Sequence, residues 1–279
     1  MRVVQPVAVA DAILVSSSAP EADYPAWSAG TTYIAGARVI RVATHRIYES
    51  GASGNVGHDP AAPDGAWIDI GPTNRWAMFD QAVGSATSAT AALSVTLAPP
   101  APIDTIALVE IAATSARVQV VAGGVTVYDR TQLTAERTTL TFLDLPPRAG
   151  AQVIVSVAGA GPVAIGTLIL GTAADLGETE TSPTIGIIDY SKRSTDDFGV
   201  TTVVPRSFAK TMSLRTKVDT ATVDALQRRI AALRAVPALW IGEDGYDSLA
   251  VYGFYKSFSI DLILTPFSYC TWSIEGLAA

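Results

Sequence analysis

The sequence holds one cysteine, Cys270, and two histidines, His45 and His58, among 279 residues. A lone thiol excludes an internal disulfide framework and any multi-cysteine zinc site. Two imidazoles leave little for histidine-rich metal chemistry, and no cofactor is expected. Charge is also scarce, at 16% of residues, and acidic in balance: 19 Lys and Arg against 26 Asp and Glu give a net charge of −7. A broad basic surface for nucleic-acid phosphates is therefore not expected. No run reaches the roughly 18 uninterrupted apolar residues of a membrane helix, so no membrane insertion is expected. Near the N-terminus, Asp11 interrupts the apolar stretch over 3–15 that comes nearest to a secretion signal. Residues 1–20 read instead as an extended arm or first strand, made in the cytoplasm without a signal peptide.

What the chain does have is 49% apolar residues, punctuated by 22 Gly and 16 Pro. That apolar share is too high for a disordered chain. Val, Ala, Thr and Leu alternate in short runs over 105–111, 116–121 and 151–157. This is the period-two pattern of strands broken by turns. The expected fold class is mainly β. One stretch, about 219–236, has a helical period instead: Val223, Leu226, Ile230 and Leu233 form one apolar stripe. Asp219 or Thr220 can cap its start, Arg228, Arg229 and Arg234 sit toward its negative end, and Pro237 stops it. The stripe predicts a face packed on a sheet.

Composition divides the rest into 21–72, small and rich in aromatics, Gly and Pro; 73–180, a run of strands; and 181–279, strands with the helix. The second block predicts a β-sandwich of jelly-roll kind, and the third a β-barrel or sandwich. The polar link over 175–183 joins them.

The first block carries the most informative pattern. Within fewer than 50 residues stand Trp27, then Tyr33, Gly36 and Val39, then Tyr48, then Pro60 and Trp67. So short a unit cannot build a deep core and must be held by a few large rings and tight turns. The pattern resembles the small carbohydrate-binding modules of the chitin- and cellulose-binding type found on bacterial chitinases and phage tail proteins. The resemblance covers about 45 residues and implies stacking of a flat ring on the apolar face of a pyranose. Tyr33, Gly36, Val39 and Trp67 are expected to serve the module's structure. Trp27 and Tyr48 are the expected stacking rings. His45 and Arg46, in the turn before Tyr48, either bond sugar hydroxyls or are solvated. A module that has lost sugar binding and serves as a spacer or docking unit also fits.

Immediately downstream, Asn74-Arg-Trp-Ala-Met-Phe-Asp80 resembles runs in tail-associated proteins of tailed bacteriophages. So do Val163–Gly171, Gly186–Arg193, Val251–Ser259 and Ser268–Gly276. That resemblance implies a virion protein of the tail tip or baseplate, assembled with other tail proteins and copies of itself and touching host-surface polysaccharide through the module. Arg75, Trp76 and Phe79 are expected to form an interdomain core with a cation–π contact. Two alternatives stay open: a purely structural tail adaptor, and a secreted polysaccharide-active enzyme with an accessory module.

Catalytic sets are not evident. There is no Gly-x-Ser-x-Gly and no Gly-x-x-x-x-Gly-Lys-Ser/Thr loop. Cys270 lies in an alternating strand and reads as a buried inert thiol. Asp196-Asp197 and Glu243-Asp244 sit beside turn residues and read as solvated loops. Asp64, Asp69, Asp244 and Asp247 form no recognisable pair for glycoside hydrolysis. The cluster Glu243-Asp244-Gly-Tyr-Asp247 lacks the spacing of a calcium loop. No catalytic residue is assigned, and a non-enzymatic role is expected.

Overall fold

The computed structural model describes residues 1–263 and 266–278. The chain is mainly β, with antiparallel sheets and a single α-helix among the described residues.

The middle block is a jelly roll. One sheet runs Val125–Leu133, Ser115–Ala122, Gln152–Ala158, Ala92–Leu97; the other runs Thr139–Phe142, Thr105–Ala112, Val163–Gly171, Thr87–Ala89. Apart from the hairpin from Ser115–Ala122 to Val125–Leu133, successive strands thus cross between two facing sheets in the order that defines that fold. Alternation decides which side chains fill it. Leu93, Val95 and Leu97 face inward with Ala116, Val118, Val120, Val153, Val155 and Val157, while their neighbours remain more exposed. Gly123 and Gly124, both at positive φ, make the tight hairpin between Ser115–Ala122 and Val125–Leu133. Strand Thr105–Ala112 carries an irregularity at Glu110, which has φ 55°. Its neighbour must be Gly166, because a Cβ there would lie 2.7 Å from the Glu110 Cβ.

The third block, expected as a barrel or a sandwich with one helix, is not a closed barrel among the described residues. It is an open eight-stranded sheet, and nothing closes it among the described residues. Its long strands Phe208–Asp219, Ala250–Asp261 and Phe267–Gly276 pair side by side. Residues 1–20, expected as an extended arm or first strand, supply a strand to each of two sheets. Arg2–Val4 inserts into this sheet between Ala173–Asp175 and Ala238–Ile241, and Leu14–Ser17 extends the jelly roll beside Ala92–Leu97.

The helix spans Val223–Ala232, preceded by a 3-10 turn over Thr220–Thr222 that Asp219 caps by accepting from the Ala221 amide. Val223, Leu226, Ile230 and Leu233 bury against Met212, Leu214, Trp240, Cys270 and Trp272 on one face of the sheet. The indoles are anchored as they are buried. Trp272 Nε1 donates to Thr216 Oγ1 at 2.8 Å, and Trp240 Nε1 to the Gly253 carbonyl at 3.0 Å. The opposite face, through Val4, Leu239, Ile241 and Tyr252, packs on Ala107 and Ile169 of the jelly roll. Strand Val163–Gly171 is therefore covered on both sides, which explains why it reads as an uninterrupted apolar run rather than an alternating one. The body is a stack of helix, large sheet and two jelly-roll sheets.

One element leaves this stack. Thr184–Asp189 pairs with the first half of Phe208–Asp219, and the ribbon continues as Lys192–Thr195 paired with Thr201–Val204. Beyond Thr211, which is the last residue of that strand to pair with Phe267–Gly276, the ribbon has only two strands. From Gly186 to the turn at Asp196 it reaches roughly 30 Å, at about 3.3 Å per residue.

Candidate aromatic binding module and its junction

The module is built on a three-stranded sheet, Arg38–Arg41, Arg46–Ser50 and Trp67–Pro72. Val39, Tyr48 and Trp67 form its buried centre, with Trp27, Tyr33 and Ala66 packed around them. Tyr33 meets Trp67 edge to face, with centroids 5.0 Å apart. Polar anchors fix each ring. Trp67 Nε1 donates to the His58 carbonyl at 3.0 Å. Tyr33 Oη accepts from the Ser28 amide at 2.8 Å. Buried Asn55 donates through Nδ2 to Ser50 Oγ and to the Ala66 carbonyl. Gly36 has φ 78°, and its amide donates to the Ser50 carbonyl. That left-handed conformation disfavours side chains. Val39 and Trp67 thus lie at the centre, Tyr33 packs against them and Gly36 makes the adjoining turn.

The expected stacking pair is not available as a pair. Tyr48 is only 7% exposed, so its ring belongs to the core and offers no face to a sugar. The strand Arg46–Ser50 turns Tyr48 and Ser50 inward, and a unit this small must commit such a ring to its own stability. Trp27 is half-buried, and its Nε1 is enclosed without a hydrogen-bond partner. Arg41 lies over the Trp27 ring at 5.4 Å from the centroid. The same guanidinium makes a two-point contact with Asp59, at 2.9 Å each, which raises the Arg41 pKa through the hydrogen bond to Asp59. Beside it, Arg38 lies over the Tyr24 ring at 5.8 Å, donates to Tyr24 Oη and pairs with Glu49 at 2.8 Å. Pairing of Ala26 with Ile40 brings these two ring–guanidinium units into register. Tyr24, Arg38, Arg41 and Asp59 thus join Trp27 in the module's polar aromatic patch. The sequence carried one signal for them: aromatics and arginines both spaced three apart, at 24 and 27 and at 38 and 41.

His45 and Arg46 are committed elsewhere. Arg46 Nε pairs with Asp69 at 2.5 Å. His45, in a left-handed turn at φ 55°, stacks on Trp76 with ring centroids 4.0 Å apart and an 18° interplanar angle. Its Nδ1 lies 2.9 Å from Glu21. Its Nε2 lies 3.0 Å from Asp11, close in distance but without hydrogen-bond geometry. Glu21 also accepts from Thr73 Oγ1, and the Thr73 amide donates to the His45 carbonyl. Trp76, Met78 and Phe79 belong to the jelly-roll core. His45 is therefore the rivet between module and body. Arg75 does not supply the expected cation–π contact at this cluster; its Nε donates to the Ala19 carbonyl at 2.8 Å.

Of the carboxylates singled out in the sequence, Asp64, Asp69, Asp196, Asp244 and Asp247 serve structure. Asp64 accepts from the Ala66 amide and lies 2.8 Å from His58 Nδ1, which together hold it below the usual carboxylate range. Asp244 bonds the Gly245 amide and Thr141. Asp247 is no solvated ligand: it accepts from Thr138 and pairs with Lys210 at 3.5 Å, tying the third sheet to the jelly roll. Burial alone would raise its pKa, but Lys210 and the threonine donors more than offset that. Asp196 folds the tip of the ribbon by accepting from the Phe198 and Val200 amides. Burial pushes the Cys270 thiol up to about 11. Among the described residues no group of three His, Cys, Asp or Glu is placed to hold a metal ion, and no helix is long and apolar enough to cross a membrane.

No family model, no curated protein and no solved structure matches this chain.

Proposed function

We propose that this chain is a structural component of the tail tip or baseplate of a tailed bacteriophage, assembling with copies of itself and other tail proteins and carrying a small glycan-directed module. The observation that carries the assembly role is the two-stranded ribbon over 184–207. Isolated hairpins are at best marginal in water, yet this one leaves the sheet with Ile185, Ile187, Val200, Val203 and Phe198 exposed. Such a display of apolar side chains marks a surface that a protein partner covers. The sequence resemblance of 74–80 and the later runs supplies the identity of the assembly, a virion, and the jelly-roll stack supplies a rigid platform.

For the module, the polar aromatic patch supports glycan contact through Trp27 and Tyr24 rather than Trp27 and Tyr48. Ring faces flanked by guanidinium and carboxylate groups offer both the apolar platform and the hydroxyl partners that a pyranose needs. The docking reading has its own support: His45 is locked onto Trp76 and Tyr48 is interior, so the module is fixed to the body rather than swinging free.

Two measurements test the proposal. A tag in the exposed loop over 61–63, imaged with gold on intact particles, is expected at the tail end; label absent from virions contradicts the assignment. Binding of the full chain to immobilised chitin and bacterial polysaccharides is expected to fall several-fold with Trp27→Ala and to be unchanged by Tyr48→Phe. No binding to any polysaccharide by the unaltered chain would leave the docking reading in its place.

A further inference from the structure

We infer that two copies of this chain join through their ribbons, edge to edge and antiparallel, along Lys192–Thr195. This rests on the assembly role proposed above and names its contact. Strand Lys192–Thr195 pairs only with Thr201–Val204, and all of its residues are exposed. Its outer side is therefore a free edge among the described residues. The Asp196 amide donates to the Val200 carbonyl. By the alternation of an antiparallel ladder, Lys192 and Ser194 also turn their main-chain groups toward Thr201–Val204, while Arg193 and Thr195 turn theirs outward. Outward amides and carbonyls on such an edge are a template for another strand.

The edge carries its own complement. Lys192-Arg-Ser-Thr-Asp-Asp197 runs from two cations through two hydroxyls to two acids. Laid antiparallel on a second copy, its basic half meets the acidic half of the other. Pairing about a two-fold axis at Ser194 matches the outward residues, Arg193 with Thr195, and sets Lys192 opposite Asp196. The long Arg193 side chain then reaches Asp197 on the diagonal. Symmetry repeats each contact, so the interface is isologous and closes at two copies. These charges are free for it. Among the described residues the side chains of Lys192, Arg193 and Asp197 have no ion pair or hydrogen bond. Asp196 commits Oδ1 to the turn, through the Phe198 and Val200 amides, and leaves Oδ2 for a partner. Asp189, the ribbon's third acid, is held by the Ser191 amide and feels Arg193 only at a distance beyond an ion pair. The opposite edge, Thr201–Val204, carries no charge, and nothing there fixes a register. A lone two-stranded ribbon is marginal in water; edge pairing makes it four-stranded. A strand of a different protein is the competing occupant, and the test separates the two.

Sedimentation velocity on the full chain, with charge swaps at Arg193 and Asp197, decides it. Neither swap touches the Asp196 side chain that folds the turn. The unaltered chain is expected to form a dimer with rising concentration. Arg193→Glu sets acid against acid across the seam, and Asp197→Arg sets cation against cation. Each alone is expected to dimerise about tenfold more weakly or worse. Mixed in equal amounts, the two variants face each other with opposite charges, and dimers are expected to return. A chain with both Arg193→Glu and Asp197→Arg is expected to dimerise like the parent. Circular dichroism melts of all variants, expected to match the parent, exclude misfolding as the cause. A parent that stays a monomer at every concentration overturns the inference and leaves the edge to a strand of another protein. Single variants that dimerise like the parent overturn it too, as does a mixture that does not recover. Failure here with gold label still at the tail end removes only the edge contact. Recovery in the mixture with no tail label removes the virion reading and keeps the contact.

Discussion

The small module and the ribbon use aromatic side chains in opposite ways. In the module, Tyr48 and Trp67 are 7% and 8% exposed, and even Trp27 is partly enclosed. In the ribbon, Phe198 stands almost wholly in water. The difference follows from size and from what lies behind each element. The module has three short strands and no large sheet, so its rings are its core. The ribbon is anchored by a sheet with its own large core and need not bury its tip. A ring in a fifty-residue appendage is structural until shown otherwise, and a ring at the end of a well-anchored hairpin is a candidate for contact.

The largest expected effect sharpens that contrast. Trp272→Ala removes a fully buried indole from beneath the helix together with its hydrogen bond to the Thr216 hydroxyl. A loss of about 3–5 kcal/mol is expected in denaturant unfolding of the whole chain. Trp67→Ala removes a comparable ring from the module, but its loss is expected to stay local. Hydrogen exchange should show protection vanishing over 24–72 while 92–171 keeps its own. If both variants unfold the whole chain together, module and body are one cooperative unit.

Alkaline pH probes the body next. Cys270 ordinarily titrates near 9 and is pushed by burial up to about 11. Between those values the unfolded chain has lost the proton that the folded chain keeps, so stability falls as pH rises through that window, by roughly 2–3 kcal/mol once the folded thiol too has ionised. Below the lower value the thiol contributes no slope. The thiol is expected not to react with a disulfide reagent at mildly alkaline pH in the folded chain; rapid labelling there would contradict its burial.

His45→Ala tests the join between the two regions. Loss of the Trp76 stack and the Glu21 contact is expected to cost about 1 kcal/mol and to raise proteolytic nicking near 72–75 without melting the jelly roll. The smallest effect belongs to the ribbon. Phe198→Ala should leave stability within about 0.5 kcal/mol of the parent, because the ring has almost no contacts to lose; a substantial drop in melting temperature would mean that the tip packs on its own chain.

Much of the body was legible from period alone. Alternation in 116–121 and 151–157 marked strands, and the stripe Val223, Leu226, Ile230, Leu233 marked the helix face. Long-range pairing was not legible. Nothing in Arg2–Val4 states that it will lie beside Ala238–Ile241, so the start read only as an arm or a first strand, and nothing local separates a closed barrel from an open sheet. The same limit shaped the site. Strand Arg46–Ser50 alternates, but alternation does not say which face is inside, and Tyr48 fell on the buried one. In the ribbon, Ile185 and Ile187 have the pattern of a packed strand and yet lie exposed; period alone does not say which strands find a covering layer.

The most direct measurement is gold labelling of a tag in the exposed loop over 61–63 on intact particles. Label at the tail end is the expected result. Particles that carry no label would contradict the virion role.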